Sequence, residues 1–358
     1  MVGEDIVRHF CLQGTVSAIE PLGNGLINDT YRVSTAEKKQ SDYVLQRINH
    51  AIFKDVDLLQ RNIEAVTRHL RSKYTQAGCS DIDRRVLRFV ATTEGKTYFF
   101  DGQSYWRMSV FIPDTQTIDQ VTPASSFDAG KAFGQFESML TDLPEQLGET
   151  IPDFHNMELR VSQLRQVVAD DPKGRVAQVN DELALIWKHA ERMCQAEQLH
   201  RQGLLPKRIC HCDTKVNNIL FDREGRVLCV IDLDTVMPAY IFSDYGDFLR
   251  TAANTMPEDS PELERVAFRW DIFEAFTRGY MESARFLTPV ETDNMPFAVG
   301  LFPMMQAVRF LTDYLNGDTY YKIQYPEHNL VRTRNQLRYF QLVEARKTDM
   351  ERLVQCLI

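Results

Sequence analysis

Residues 208–247 constrain this chain more than any other part of it, because acidic and amide side chains stand there between two apolar strand patterns. The first apolar segment leads to His211 and Asp213, Asn218 follows, and a hairpin pattern carries the chain on to Asp232. Phosphoryl transfer from a nucleotide needs such residues: one carboxylate accepts the proton of the attacking hydroxyl, while an amide oxygen and a second carboxylate hold Mg²⁺. A turn rich in Asp and Asn that merely bends the chain is the alternative. The spacing His-x-Asp-x4-Asn, followed by an Ile-Asp strand end, favours the metal-dependent interpretation.

Residues next to this motif are predicted to assist it. Asp234 lies two residues beyond the strand end at Asp232, so both carboxylates are expected to face one cleft. Asp244 opens a helix pattern, where it can accept bonds from N-terminal N–H groups and brace the catalytic loop. Lys215 either offsets charge on the moving phosphoryl group or is a solvated loop lysine.

Composition limits the partners and the location of the protein. The chain has 358 residues, 44% of them hydrophobic, which supplies ample core. A net charge of −9 argues against nucleic acid and anionic membranes as partners, because both are bound by basic surfaces. The N-terminal residues mix charges with apolar side chains, and no eighteen apolar residues run together, so no signal peptide and no membrane span are predicted. The protein is therefore expected to be cytoplasmic.

The seven cysteines stand mostly within apolar patterns, which is typical of reduced, buried thiols. Only Cys210-His211-Cys212 forms a cluster. Alternate strand residues point to opposite faces, so the two thiols share one side and His211, predicted to support the catalytic loop, takes the other. Because no second Cys/His pair at zinc spacing occurs, no zinc site is predicted.

A glycine-bearing turn joins two strand patterns in the segment EPLGNGLINDTY. Gly23, Gly25 and Asn28 form the sequence G-x-G-x-x-N, in which glycines let backbone N–H groups approach phosphates closely. A plain hairpin turn explains the segment equally well when it is taken alone. The three residues are predicted to contact a nucleotide only because the motif around Asp213 accompanies them.

The next two elements are a strand and a helix. Residues 43–48 alternate as a strand, and residues 56–70 have apolar side chains at helical spacing with Glu64 beside them. In kinase-type N-terminal lobes this strand supplies a phosphate-binding lysine, and the helix supplies a glutamate that holds the lysine. Here Gln46 occupies the expected lysine position, and Glu64 is either the helix acid or a solvated helix charge.

The order of patterns predicts the fold class. Strand patterns in residues 86–112 complete a sheet of about five strands, and beyond them nearly every pattern is helical. We therefore predict an α+β fold, with a small antiparallel-sheet nucleotide-binding lobe in residues 1–112 and a large, mainly helical lobe in residues 113–358. The linker between the lobes is predicted to bind adenine, so Phe111 and Ile112 are candidate contacts.

The C-terminal helices contain a dense group of hydrogen-bonding side chains. Its members are Arg309, Asp313, Tyr320, His328, Asn329, Arg332 and Arg334. They form either a salt-bridged surface, which contributes little stability, or a wall that binds a polyol, since a sugar needs several convergent polar groups. The second interpretation is favoured.

The block His211-Cys-Asp213-x4-Asn218, with Ile231-Asp232 and Asp244 downstream, resembles the aminoglycoside phosphotransferase and choline-kinase-like superfamily. Within it, the chain resembles the N-acetylhexosamine 1-kinases over about residues 19–335, in EPLGNGLINDTY, CDTKVNNIL, VIDLDTVMP, FSDYGD, RFLTDYLNGDTYY and YPEHNLVRTR. The resemblance implies a protein-kinase-like fold of two lobes, ATP with Mg²⁺, and transfer of the γ-phosphoryl group to the anomeric O1 of GlcNAc or GalNAc.

The resemblance also assigns roles to single residues. Asp213 matches the catalytic base, which orients the sugar hydroxyl. Asn218 and Asp232 match the metal ligands. Arg309 and Tyr320 match positions that contact the sugar.

Leu26 departs from the family pattern, because the family's best-known member has a histidine there that reaches the sugar. Losing a donor leaves a substrate oxygen unpaired and alters discrimination between acceptors. Another small alcohol (choline, homoserine or another hexose) is therefore an alternative acceptor, and the missing third-strand lysine also fits an inactive nucleotide-binding pseudokinase. Arg309 and Arg332 suit sugar oxygens better than choline, which favours aromatic and acidic groups. Retention of the base and both metal ligands opposes the pseudokinase.

Overall fold

The computed structural model describes residues 3–23, 27–118 and 120–358. Gly25 and Leu26 of the predicted glycine turn lie outside the described residues. The helices and strands, in chain order, are α1 (Glu4–Val7), β1 (Val16–Pro21), β2 (Asp29–Thr35), β3 (Tyr43–Ile48), α2 (Val56–Gln76), α3 (Ile82–Arg85), β4 (Phe89–Val90), β5 (Phe99–Phe100), β6 (Tyr105–Val110), α4 (Pro123–Met139), α5 (Met157–Asp170), α6 (Asn180–Met193), α7 (Gln195–Arg201), β7 (Arg208–Cys210), β8 (Ile219–Phe221), β9 (Val227–Val230), β10 (Met237–Ala239), α8 (Phe242–Ala252), α9 (Trp270–Ser283), α10 (Pro289–Asp293), α11 (Met295–Asn316), α12 (His328–Glu344) and α13 (Lys347–Gln355).

The chain forms two compact units, each built from several segments. The first unit contains the residues up to Thr117, Asp142–Pro152 and Ile219–Met237. The second contains Ile118–Thr141, Asp153–Asn218 and Pro238–Ile358.

An antiparallel sheet is the main element of the first unit. Its strands follow the order β1-β2-β3-β6-β4, and β5 pairs with β6. Tyr43 and Leu45 of β3 are buried while Val44 between them is only partly buried, as the alternation of a strand requires. Both pack with Trp106 and Met108 of β6, so the period-two pattern forms the core of this sheet.

The hairpin β8–β9 belongs to the first unit although it lies late in the chain. Its antiparallel register runs from the pair Ile219–Val230 to the pair Phe221–Val227. Leu228 and Cys229 of β9 pack with Ile112. This packing places the turn that follows β9 in the first unit.

These elements confirm the predicted α+β class, with a small antiparallel sheet and a larger helical part. The first segment of the first unit ends at Thr117, and the predicted lobe boundary after residue 112 stays a prediction. Asp142–Pro152 contacts helix α2, and Ile219–Met237 packs with Ile112, so both segments belong to the first unit. The assignment of nucleotide binding to residues 1–112 and of sugar binding to the helical part stays a prediction.

Helix α11 lies at the centre of the second unit and is buried on nearly all sides, as expected for a helix that is apolar around its circumference. Helices α5, α8 and α12 pack against it. Helix α8 carries the acids Asp244 and Asp247 into this interior. Within the described ranges, no helix has the length and apolar character needed to cross a membrane.

Helices α4 and α9 approach so closely that glycines are required where they touch. A Cβ at Gly130 would lie 2.3 Å from the Phe276 carbonyl oxygen, and one at Gly279 would lie 2.0 Å from that of Phe127. Neither distance is compatible with a side chain unless the helices move apart.

Gly279→Ala is therefore expected to destabilise the protein, because overpacking of this kind costs about 1–3 kcal/mol or more. Gly3→Ala is the matched control: its Cβ would meet only the Asp5 nitrogen, at 3.8 Å, and the change should alter the free energy of unfolding by less than about 0.5 kcal/mol. Denaturant unfolding measures both. Equal stabilities of the two variants would contradict the close contact of α4 and α9.

Candidate active site

A buried carboxylate of α8 holds the loop that follows β7. Asp244 accepts the backbone N–H groups of His211 and Cys212, each at 2.7 Å, and its main-chain carbonyl accepts the Thr214 hydroxyl at 2.6 Å. Cys212 has φ +64°, a left-handed conformation that costs a residue with a side chain about 1–2 kcal/mol. The surrounding bonds maintain this conformation and fix the backbone from which Asp213 projects.

Asp213 is paired with a cation and an amide. Lys215 Nζ lies 2.8 Å from its Oδ1, and Asn218 Nδ2 donates to its Oδ2 at 3.1 Å and to its main-chain carbonyl at 2.8 Å. The Asp213 N–H donates to Nδ1 of His211 at 3.3 Å. Asn218 Nδ2 thus donates both hydrogen bonds to Asp213, and the amide oxygen of Asn218 is the atom predicted to bind a cation.

The opposite charges of Asp213 and Lys215 keep both side chains ionised. Burial acts to raise the pKa of Asp213, but the charge and hydrogen bond of Lys215 overcome it and bring the pKa below its usual value. Burial acts to lower the pKa of Lys215, and the carboxylates of Asp213 and Asp247 raise it above its usual value. The loop therefore presents a carboxylate that can accept a proton, held beside a permanent positive charge.

The turn after β9, in the first unit, carries the other two predicted acids. Asp232 has a left-handed backbone, with φ 60° and ψ 60°. Asp234 is buried: Arg107 Nη1 lies 2.5 Å from its Oδ1, and Asn28 Nδ2 donates to its Oδ2 at 2.7 Å. Both oxygens of Asp234 thus face side chains that anchor the turn, and metal binding by Asp232 stays a prediction.

Arg107 is a functional residue that the sequence patterns did not reveal. It stands on β6 directly opposite Gln46 of β3, and its Nε donates to Gln46 Oε1 at 3.0 Å. Gln46 Nε2 in turn donates to Thr30 Oγ1 at 3.3 Å. Gln46 therefore orients the buried arginine, and in the described part of the chain no ion pair links Glu64 of α2 to a cation. The only sequence signal was an arginine inside the apolar strand SYWRMSVFI.

The remaining predicted nucleotide contacts of the first unit are placed as follows. Gly23 has φ +71°, and a Cβ there would meet none of the atoms of the described residues within 4 Å. Asn28, besides bonding Asp234, accepts the Asn49 N–H at 2.9 Å. The Phe111 N–H donates to the Asp42 carbonyl at 2.9 Å, and its ring lies under the Arg32 guanidinium at 4.4 Å.

Ile112, the other predicted adenine contact, is buried against the β8–β9 hairpin. Its carbonyl accepts the Thr115 hydroxyl at 3.1 Å. Adenine binding by the backbone of this linker stays a prediction.

In the second unit, Arg309 lies among three aromatic rings. Its guanidinium carbon is 5.3, 5.9 and 5.7 Å from the ring centroids of Phe154, Tyr320 and Tyr321. Its Nη1 donates to Gln306 Oε1 at 2.7 Å, and no carboxylate in the described ranges forms an ion pair with it. We call Arg309, Tyr320, Tyr321, His155 and Arg160 the acceptor wall, after the role that is proposed for them below.

His155 and Arg160, two members of the acceptor wall, were not found from the sequence, because neither stands in a recognisable pattern. Burial, and then the charges of Arg309 and Arg160, lower the pKa of His155 well below its usual value, while the charge of Asp213 acts in the opposite direction. Burial and the charge of Arg309 lower the pKa of Arg160 to about 10. Because Asp213 acts electrostatically on His155, the wall lies near the candidate base.

Asp313 supports the acceptor wall from behind. It is buried, and its carboxylate accepts the backbone N–H groups of Thr319, Tyr320 and Tyr321 at 2.9, 2.8 and 2.9 Å. Asn329 Nδ2 donates to the same carboxylate at 2.9 Å. Asp313 and Asn329 therefore fix the loop that carries the two tyrosines.

The other cations of the predicted polar group face different partners. Arg334 pairs with Glu182 at 2.6 Å. Arg332 donates to Asn329 Oδ1 at 3.1 Å and lies 5.5 Å from the Phe310 ring centroid. The salt-bridged interpretation thus holds for Arg334, and the polyol-binding interpretation stays a prediction.

Comparison with known proteins gives one family match. The profile of the APH phosphotransferase enzyme family matches residues 18–287. This range includes the loop with Asp213 and Asn218 and the turn with Asp232 and Asp234, and it ends before α11.

Several solved structures share the fold. An aminoglycoside phosphotransferase from Alicyclobacillus acidocaldarius is 13% identical, with a TM-score of 0.65 over 100% of this chain and 97% of its own. A microcompartment-associated aminopropanol kinase is 16% identical, with a TM-score of 0.64 over 97% of each chain. An amicoumacin kinase bound to AMP-PNP and Ca²⁺ is 14% identical, with a TM-score of 0.60 over 91% of this chain and 90% of its own. At these identities the likeness establishes the fold.

Arg107→Met is expected to lower the free energy of unfolding by about 3–5 kcal/mol, because it leaves the buried carboxylate of Asp234 without its cation. The control is Arg223→Met, which breaks an ion pair with Asp114 between two exposed side chains and should cost less than about 1 kcal/mol. Thermal or denaturant unfolding distinguishes the two. An Arg107 variant as stable as the Arg223 variant would contradict the anchoring of the turn.

Lys215→Met is expected to move the acidic limb of the pH profile of kcat/KM to higher pH. The pKa of Asp213 lies below its usual value because of Lys215, so the carboxylate form persists to low pH in the wild type and is lost at higher pH without the lysine. Lys188→Met, at an exposed position of α6, is the control. An unchanged acidic limb in the Lys215 variant would show that Asp213 is not the group that titrates there.

Proposed function

The chain belongs to the phosphotransferase enzyme family, and from that premise we propose that it phosphorylates the anomeric O1 of an N-acetylhexosamine, GlcNAc or GalNAc, using ATP and Mg²⁺. A phosphotransferase of this family takes an alcohol or amine acceptor. The proposal specifies the acceptor, the metal and the role of each site residue.

The acceptor wall carries the proposal for a sugar. Arg309 has no carboxylate partner in the described ranges, and its charge lowers the pKa of the neighbouring Arg160. Arg160 Nε and the Tyr321 hydroxyl are buried polar atoms with no hydrogen-bond partner among the described residues. Two guanidinium groups repel a cationic acceptor such as choline and attract hydroxyl and carbonyl oxygens, which an N-acetylhexosamine offers in number.

The aromatic rings of the wall suit the same ligand. Tyr320 is 61% exposed, yet Asp313 fixes its backbone. Such a ring gives a flat apolar surface at little entropic cost, because the loop is already ordered. A pyranose presents an apolar ring face together with polar edges, and rings beside guanidinium groups match both.

The residues of the catalytic loop have the chemistry for proton acceptance. We assign to Asp213 the orientation of the O1 hydroxyl and the acceptance of its proton by a carboxylate oxygen, as O1 bonds to the γ-phosphorus and the bond from that phosphorus to the β–γ bridging oxygen breaks to release ADP. A loose transition state needs little activation of the nucleophile, so a carboxylate with a low pKa suffices. Lys215 offsets negative charge on the moving phosphoryl group, and His211 and Asp244 keep the loop in place.

Asn218 and Asp232 fit Mg²⁺ by the type of their donor atoms. An amide oxygen and a carboxylate are hard ligands. Asn218 is the last residue of a 3₁₀ turn, and Asp232 has a left-handed backbone conformation. Bound Mg²⁺-ATP supplies the phosphoryl group and neutralises charge on the phosphate oxygens. Gly23, Gly25, Asn28, Gln46, Glu64, Phe111 and Ile112 are the residues that we assign to the nucleotide. We assign Leu26 to acceptor binding and Asp234 to anchoring the turn that carries Asp232.

A panel of acceptors with ATP and Mg²⁺ tests this function. GlcNAc and GalNAc should yield ADP and a sugar phosphorylated at O1, and choline, ethanolamine and homoserine should not be turned over. Asp213→Asn should lower kcat by about 10²–10⁴-fold, the usual contribution of a general base. Arg309→Met should raise KM for the sugar and weaken the discrimination against choline. Phosphorylation at O6, or turnover of amino alcohols alone, would refute the sugar 1-kinase assignment.

A further inference from the structure

Behind the catalytic loop, two carboxyl groups lie against each other in the interior of the second unit. Glu137 of α4 and Asp244 of α8 are 2% and 0% exposed. One carboxylate oxygen of each and the Cys210 sulfur all lie within 4.8 Å of one another. Neither the motif nor the proposed function uses Glu137.

The hydrogen bonds around Glu137 and Asp244 indicate which carboxylate oxygen carries a proton. Both Asp244 oxygens already accept backbone N–H groups, Oδ2 from His211 and Oδ1 from Cys212. Glu137 Oε2 accepts the hydroxyl of Tyr280, while Glu137 Oε1 is buried and receives no donor from the described residues. Two ionised carboxylates in contact would repel each other, whereas a proton on Oε1 turns the contact into a hydrogen bond.

We infer that Glu137 is a positioning residue, a carboxylic acid whose Oε1–H donates to Asp244 and, through it, fixes the backbone immediately before Asp213. Its connection with catalysis rests on the proposed role of Asp213. The chain of bonds runs from the Tyr280 hydroxyl to Glu137, then to Asp244, then to the N–H groups of the loop. Each bond in it has one donor and one acceptor.

The charged and titratable groups around Glu137 agree with this protonation. Among the described residues they are Asp244 (α8), Tyr280 (α9), Arg208, Cys210 and Cys212 (β7 and the loop after it) and Glu291 (α10). The Arg208 guanidinium is paired with Glu291 at 2.9 Å, and His211 acts on Asp244. Burial, and then the charge of Asp244, raise the pKa of Glu137 well above its usual value. Burial likewise raises the pKa values of Tyr280 and Cys210, so both stay neutral.

A metal ion bound by Glu137, Cys210 and Asp244 is the competing explanation. It would need a thiolate, but burial raises the pKa of the Cys210 thiol well above its usual value. It would also need lone pairs of Asp244 that two backbone N–H groups already occupy. A proton satisfies the pair without either change.

If Glu137 is protonated in the folded protein, the stability of the protein depends on pH in a defined way. A carboxyl group with a raised folded-state pKa stays protonated in the folded protein after it has ionised in the unfolded chain. Folding then takes up a proton, so stability falls as pH rises from the usual glutamate pKa of 4.5 towards the folded-state pKa. Glu137→Gln retains a donor and an acceptor but cannot ionise, so its stability should fall less with pH than that of the wild type.

Glu137→Leu and Glu137→Gln in the full chain test the inference. The Leu variant removes the donor to Asp244 and should lower kcat on the order of 10²-fold with little change in KM, as misplaced catalytic groups do. The Gln variant should restore kcat to within a few-fold of the wild type and flatten the fall of the unfolding midpoint temperature between about pH 5 and 9. The infrared difference spectrum of the wild type minus the Gln variant at neutral pH should contain the band of a protonated carboxyl, because the contribution of Glu197, whose pKa is about 7, is common to both proteins.

Glu197→Gln is the matched control. Glu197 is buried, accepts the Met157 N–H at 2.6 Å, and burial raises its pKa to about 7. Its substitution should change the pH dependence of stability but not kcat. A loss of kcat in Glu137→Gln as large as that in Glu137→Leu, a difference spectrum without the carboxyl band, or a stoichiometric transition metal in the wild type would each overturn the inference. The infrared and stability results do not require GlcNAc to be the acceptor; if it is not, kcat is measured with the acceptor that the panel identifies.

Discussion

The buried carboxylate of Asp244 is the interaction on which the candidate active site depends. Its two oxygens accept the backbone N–H groups of His211 and Cys212, and this holds Cys212 in a left-handed conformation that its side chain disfavours. Asp213 is the next residue, so the direction in which its side chain projects depends on the hydrogen bonds that fix His211 and Cys212. Because Asp244 stands on a helix that packs against the central helix α11, the position of the loop is set by the core of the second unit.

Each unit contains one more buried acid that holds a backbone segment in place. In the first unit, Arg107 and Asn28 engage both oxygens of Asp234 and anchor the turn that begins at Asp232. In the second, Asp313 accepts three backbone N–H groups and orders the loop of the acceptor wall. A buried charge is costly unless it is fully paired, and once paired it permits few alternative arrangements. The groups assigned to chemistry thus project from backbone that buried acids hold in place.

Part of this organisation could be predicted from the sequence, because it depends on local pattern. Period-two alternation predicted β3 at residues 43–48, and the spacing around Asp213 predicted the loop residues that the structure brings together. Partners distant in sequence could not be predicted: Arg107 lies opposite Gln46 only through strand pairing, and Glu137 meets Asp244 only because α4 packs there. Asp313 was predicted as part of a sugar-binding wall, but its carboxylate faces backbone N–H groups.

A crystal structure with Mg²⁺, a non-hydrolysable ATP analogue and GlcNAc tests the central claim most directly, namely that Asp213 receives the anomeric hydroxyl of a sugar held by the acceptor wall. The expected result is O1 within about 2.6–3.2 Å of an Asp213 carboxylate oxygen, with Arg309 bonded to sugar oxygens. A complex in which another hydroxyl of the sugar occupies that place, or in which the sugar does not contact Arg309, would contradict the account.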